Sequence, residues 1–222
     1  MKKLVVICGL VMAFVLSLGA QDKKKESKKG TDAFLSMPIP DTVFARMQGR
    51  SYPEGCSVRR SDLRYLRLWH YGFDGKTHVG ELVCNVAIAN DLLAIFKQLY
   101  EQRYPIERMR LIDDYEADDE RAMRANNSSC FCYRKVKGHA KLSAHARGMA
   151  VDLNPFYNPY YRQLKDGKEV VQPATARKYC DRTLNFPYKI TTADPAYKLF
   201  RKYGFKWGGS WRSVKDYQHF EK

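Results

Sequence analysis

The stretch Ser143-Ala-His-Ala-Arg-Gly-Met-Ala-Val-Asp152 constrains this chain more than any other. It sets His145 and Asp152 seven residues apart. On one unbroken strand an odd spacing sends two side chains to opposite faces. If both serve one site, the backbone has to bend between them. Gly148 permits that bend, because glycine enters left-handed conformations at little cost. Near the C-terminus, Asp216-Tyr-Gln-His219 adds a second carboxylate and a second imidazole. Their i, i+3 spacing predicts a helical turn with both on one face. His145, Asp152 and His219 then offer three N/O ligands, with Asp216 spare. A catalytic zinc site has that inventory: three protein ligands and an open fourth position. The same trio suits non-haem iron, but the sequence holds no motif for a co-substrate.

The pattern S-x-H-x-x-G-x-A-x-D, followed far downstream by W-G-G-x-W (Trp207–Trp211) and D-x-x-H-F-E (Asp216–Glu221), resembles the zinc D,D-carboxypeptidase and L-alanyl-D-glutamate endopeptidase family. VanY-type carboxypeptidases belong to that family, and the hedgehog signalling domain shares its fold. Asn126–Arg134 and Asn154-Pro155 also look like its secreted branch. The resemblance covers roughly residues 60–222. It implies one Zn2+ per chain and peptidoglycan stem peptides as substrate. D-alanyl-D-alanine carboxypeptidase activity comes first and L-alanyl-D-glutamate endopeptidase activity second. A non-catalytic zinc-binding module of the same fold is the third reading, which a missing base would favour.

Asp216 is the expected general base. Zinc lowers the pKa of its water to about 7, and a positioned base typically contributes ~10²–10⁴ in rate. Many relatives have glutamate at this place, whereas cell-wall endopeptidases of the family often have aspartate. Glu221 is the rival base, but following the histidine it reads better as the group that orients it. Arg134 matches the family's upstream arginine. It would steady the charge that develops on the attacked carbonyl, or bind a substrate carboxylate. Ser143 is expected on the substrate backbone. Trp207 and Trp211 are expected to wall the cleft, with core packing as the alternative. His70, His78 and His139 read as ordinary structural or exposed histidines.

Upstream, Met1–Ala20 reads as a secretory signal peptide, with Lys2 and Lys3 before an apolar run and small residues at Gly19-Ala20. An uncleaved anchor is the alternative. Residues 21–32 are Lys-rich and almost without apolar side chains, which predicts a disordered linker. Residues 33–222 suit a single zinc peptidase domain. The net charge of +15 can mark nucleic-acid binding. With an export signal in front, non-specific contact with anionic envelope polymers is expected instead, and no nucleic acid. The protein is expected to be an exported monomer in the periplasm or cell envelope. Five cysteines follow the signal: Cys56, Cys84, Cys130, Cys132 and Cys180. An odd number leaves at least one thiol free or paired between molecules. Cys130-x-Cys132 lacks the second pair that a zinc finger would need.

Leu63–Tyr71 alternates apolar and polar residues, Phe73–Lys76 is a turn signal, and His78–Val86 reads as the partner strand. Ile88–Tyr104 carries an apolar helical stripe ended by Pro105. Short strands are expected at 109–112, 131–136 and 150–153, helical or turn structure over Asp113–Glu120, and a helix from Asp194-Pro195 to Tyr203, closed by Gly204. Strands and helices do not alternate regularly. The expected class is therefore α+β, an antiparallel sheet with helices packed on it, in a hedgehog/DD-peptidase-like zinc-binding arrangement.

Overall fold

The computed structural model describes residues 34–135 and 141–222. The expected signal peptide, the linker and His139 lie outside the described residues. A short strand β1 (Leu35–Met37) and helix α1 (Asp41–Met47) lead into a long hairpin, β2 (Leu63–Tyr71) and β3 (Thr77–Asn85). Both faces of β2 carry apolar residues, so the strand is buried between two clusters. Leu63, Tyr65, Leu66 and Leu68 are buried, whereas Arg64 and Arg67 look outward. Gly75 makes the turn with a positive φ of 72°. β1 adds to the β2 edge, giving a three-stranded antiparallel sheet.

Helix α2 (Val86–Glu101) starts directly at the end of β3. Asn85 caps it, its side-chain oxygen accepting from the Ala87 N–H at 2.9 Å. Ile88, Leu92, Ile95, Phe96 and Leu99 recur at helical spacing and are buried against the hairpin. The helix runs two residues earlier than the apolar stripe suggested and stops at Glu101, before Pro105. β4 (Arg108–Met109) pairs in parallel with β5 (Asn127–Ser128), and the short helix α3 (Asp119–Arg124) lies between them in sequence. Phe131–Val136 does not form the expected strand. Its described part makes one isolated bridge, Lys135 to Leu142.

The C-terminal part holds the elements that build the site. β6 (Ala150–Asp152), β7 (Tyr160–Gln163) and β8 (Glu169–Gln172) are followed by α4 (Pro195–Lys202), β9 (Lys206–Trp207), β10 (Lys215–Asp216) and β11 (His219–Glu221). Asp194 caps α4 through the Ala196 N–H at 2.8 Å, and Gly204 ends it at φ 87°. Two more antiparallel sheets result, ordered β6-β11-β9 and β10-β7-β8. The fold is α+β, and its strands form several small sheets where one had been expected.

One apolar core joins these parts. Phe220 of β11 stacks on Phe200 of α4 with centroids 4.3 Å apart. Phe200 meets Phe96 of α2 and Phe205 edge-on. All four rings are fully buried. Each such side chain contributes ~1.5–3 kcal/mol by burial, so the strand carrying His219 is pinned from below. No helix among the described residues is long and apolar enough to cross a membrane.

Candidate metal centre

His145 and Asp152 come together by the bend the sequence required. His145 lies in a 3-10 turn, His145–Arg147, and Gly148 follows at φ 68°. A Cβ on Gly148 would stand 2.6 Å from the Asn85 backbone nitrogen. That nitrogen donates to the Gly148 carbonyl at 2.8 Å. The turn is therefore held against the β3–α2 junction at a point where no side chain fits. Ser143 caps the turn, its hydroxyl accepting from the Ala146 N–H at 3.0 Å. Its oxygen thus helps to shape the His145 turn.

β6 and β11 pair antiparallel, with His219 opposite Asp152, Phe220 opposite Val151 and Glu221 opposite Ala150. Strand alternation sends Phe220 and Val151 into the core and the His219–Asp152 pair to the other face. The expected helical turn from Asp216 to His219 is not formed. Asp216 ends β10 and His219 begins β11. Asp216 arrives by pairing with Tyr160 of β7.

One ligand atom each from His145, Asp152 and His219 lies within 4.8 Å of the other two. His145 Nδ1 donates to the Cys130 carbonyl at 2.6 Å. A carbonyl only accepts, so the other nitrogen, Nε2, carries the lone pair. His219 Nε2 donates to the Glu221 carboxylate at 3.2 Å, which leaves Nδ1 bare. The two bare nitrogens are 3.1 Å apart. Asp152 oxygens stand 3.3 Å from His145 Nε2 and 3.1 Å from His219 Nδ1. Three electron-rich atoms turned together repel unless a cation lies among them. Ligand atoms sharing one tetrahedral zinc are about 3.3 Å apart, given Zn–N bonds of ~2 Å. The donor set fits zinc, and each imidazole is fixed from behind by an acceptor, as metal-ligating histidines usually are.

Electrostatics agree. Burial opposes charge on Asp152, but the His145 and His219 imidazoles hold its carboxyl well below the usual range. Burial likewise opposes charge on His219, yet the carboxylates of Asp152 and Glu221 beside its two ring nitrogens favour it and push it up to about 10. The surroundings favour positive charge at this place.

Asp216 Oδ1 is buried with no hydrogen-bond partner among the described residues. Its carboxyl is pushed up to about 6, first by burial and further by Asp152, with His219 pulling the other way. Gly208 makes room for it, since a Cβ there would lie 2.6 Å from the Asp216 carbonyl oxygen and 3.2 Å from the His219 Cβ. Trp211 stands beside the cluster, its ring centroid 5.3 Å from that of His219. Trp207 does not wall a cleft. It is buried in the core, and its indole N–H donates to the Tyr217 carbonyl at 2.9 Å. Gly209 is glycine because a Cβ would run into that indole at 2.3 Å.

Residues 137–222 match the family described as D-alanyl-D-alanine carboxypeptidase. That stretch is similar to this peptidase family over the C-terminal part of the chain. The match takes in His145, Asp152, Asp216, His219 and Glu221. Arg134, α2 and the long hairpin precede it. No solved structure matches the chain.

Arg134 faces Asp119, with Nε 2.5 Å from Oδ2. Sequence reasoning missed Asp119, which was one acid in an acidic run. It also missed the Cys130 carbonyl, which carries no side-chain signal. The Cys130 and Cys132 thiols have separate carbonyl partners, Gly148 and Ala117, and form no metal pair. All five described cysteines are free. His70 donates from Nδ1 to the Ile106 carbonyl at 2.8 Å, and His78 pairs with Asp74 at 2.9 Å. Both border a cavity of about 390 Å³ at the far end of the hairpin.

Proposed function

We propose that the chain is an exported zinc peptidase that removes the terminal D-alanine from peptidoglycan stem peptides. The observation that carries the reading is the convergence of His145 Nε2, Asp152 and His219 Nδ1 beside Asp216, whose buried Oδ1 has no hydrogen-bond partner among the described residues. His145, Asp152 and His219 would hold the zinc. When bound, zinc supplies Lewis acidity, which polarises a peptide carbonyl and makes water a better acid. Asp216, raised toward neutrality, takes the proton of the attacking water at Oδ1 and passes it to the departing amine. Glu221 keeps the His219 ring oriented. Arg134 offers its guanidinium to the free carboxylate at the end of the stem peptide, and Trp211 closes one side.

The substrate class rests on the family match and on the resemblance in the motifs. Export rests on the Met1–Ala20 pattern, and the excess of positive charge suits anionic envelope polymers. One observation favours a second bond. The base is aspartate, the form common in the family's L-alanyl-D-glutamate endopeptidases. A purely zinc-binding module would have no use for a buried, unpaired carboxylate beside the metal ligands.

The test is digestion of purified muropeptides with zinc-loaded protein, read by mass. Loss of one alanine from pentapeptides is expected. Cleavage between L-alanine and D-glutamate would move the assignment to the endopeptidase, and intact muropeptides would overturn the enzyme reading.

A further inference from the structure

Arg134 and His145 are held by the same backbone pairing. Cys132 N–H donates to the His145 carbonyl at 3.2 Å, and Ser143 N–H donates to the Arg134 carbonyl at 3.1 Å. Lys135 bridges to Leu142 in the same antiparallel sense. The Arg134 backbone is therefore fixed to the turn that carries a metal ligand. From the other side comes Asp119, the first residue of α3, 2.5 Å from Arg134 Nε. That helix is anchored independently. Asp118 caps it through the Arg121 N–H, Glu120 accepts from the Ala174 N–H at 2.8 Å, and Met123 Sδ receives the Gln218 amide.

Both side chains sit deep. Burial is the largest influence on each, and the charge of Asp152 is felt at both Asp119 and Arg134. Yet each keeps about a third of its surface open, 36% for Arg134 and 34% for Asp119. The pair can therefore be reached from solvent. Within Arg134, Nε is closed off from solvent, and it meets Asp119 Oδ2 as an ion pair outside hydrogen-bond geometry. The terminal nitrogens have no hydrogen-bond partner among the described residues. A guanidinium is a planar fork, so a carboxylate fixed at the Nε edge decides which edge is offered outward.

We propose that Asp119 is a positioning residue: it takes the Nε edge of Arg134 and turns the terminal edge toward the substrate's C-terminal carboxylate. This rests on the carboxypeptidase reading of Arg134 given above. Asp119 thereby sets specificity for chain ends over internal bonds, without touching the reacting atoms.

The test compares one stem peptide with a free C-terminal carboxylate and the same peptide amidated there. Zinc-loaded parent, Asp119→Asn, Asp119→Glu and Arg134→Ala are assayed, with metal content measured in each. The parent is expected to prefer the free acid, and Arg134→Ala to lose that preference. Asp119→Asn should keep its zinc and raise KM for the acid more than it lowers kcat. The acid-to-amide preference should shrink roughly ten- to a hundredfold, the size of one hydrogen bond to a charged group. Asp119→Glu should recover part of it. If Asp119→Asn keeps the parental preference while Arg134→Ala loses it, the role of Asp119 is refuted and that of Arg134 stands. Equal loss on both substrates together with loss of zinc reduces Asp119 to a structural residue. If the parent itself shows no preference, the carboxypeptidase reading of Arg134 fails first.

Discussion

Asp152 and His219 stand directly opposite one another on antiparallel strands, with His219 Nδ1 3.1 Å from Asp152 Oδ1. Cross-strand partners share a face, so this register alone sets two of the three candidate ligands side by side. The neighbouring pair, Val151 and Phe220, faces the core and holds the register in place. A slip by one residue would exchange ligands for core side chains.

The first prediction follows from that coupling. Phe220→Ala removes the ring stacked on Phe200 and should cost about 3–5 kcal/mol. The melting temperature should fall by roughly 10 °C, and zinc affinity should fall with it. Thermal unfolding with and without added zinc checks both. An unchanged zinc affinity would separate the core from the site.

Gly148 and Gly167 both have positive φ. At Gly148 a Cβ also meets the backbone of Asn85 and Cys84, whereas at Gly167 it meets nothing within 4 Å. Gly167→Ala should therefore cost only the left-handed strain, ~1–2 kcal/mol. Gly148→Ala should cost clearly more and disturb His145. Denaturant unfolding of the two variants gives the comparison, and equal costs would refute the close approach.

Burial lifts the thiol of Cys132 to about 12 and raises those of Cys84 and Cys130 as well. Thiolate is the reactive form. In the native protein these three should resist a thiol reagent at pH 8 and react only in denaturant, while the half-buried Cys56 and Cys180 react first. Non-reduced mass spectrometry should show no disulfide; a linked pair would contradict this.

Asp216→Asn keeps the shape and removes the basicity. It should keep zinc, because three ligands remain, and lose ~10²–10⁴ in kcat with little change in KM. A base works only when ionised, and burial raises this carboxyl to about 6. The parent's kcat/KM should therefore fall as pH drops through about 6, and the variant's residual rate should lack that limb. Near-parental turnover in the variant would transfer the role to Glu221.

Much of this was legible in the chain, and the parts that were not share a cause. The β2–β3 hairpin was readable because its nine-residue first strand is rich in apolar β-formers and Asp74-Gly75 marks the turn. His145, Gly148 and Asp152 were readable because their spacing demands a bend. Strands of two or three residues, such as β10 and β11, carry no period. The i, i+3 spacing of Asp216 and His219 was therefore mistaken for a helical turn. The β7–β8 hairpin went unread although Asp166-Gly167 marks its turn. Trp207 and Trp211 look alike in sequence, and only packing sends one into the core and leaves the other beside His219. Asp119 is one of several acids before Arg121, and its pairing with Arg134 is purely tertiary.

The central claim is that His145, Asp152 and His219 hold one catalytic zinc. Elemental analysis of the purified parent and of the His145→Ala, His219→Ala double variant tests it most directly. The account predicts one zinc per chain in the parent, and neither zinc nor activity in the double variant. Full zinc occupancy in the double variant would contradict it and place the metal elsewhere.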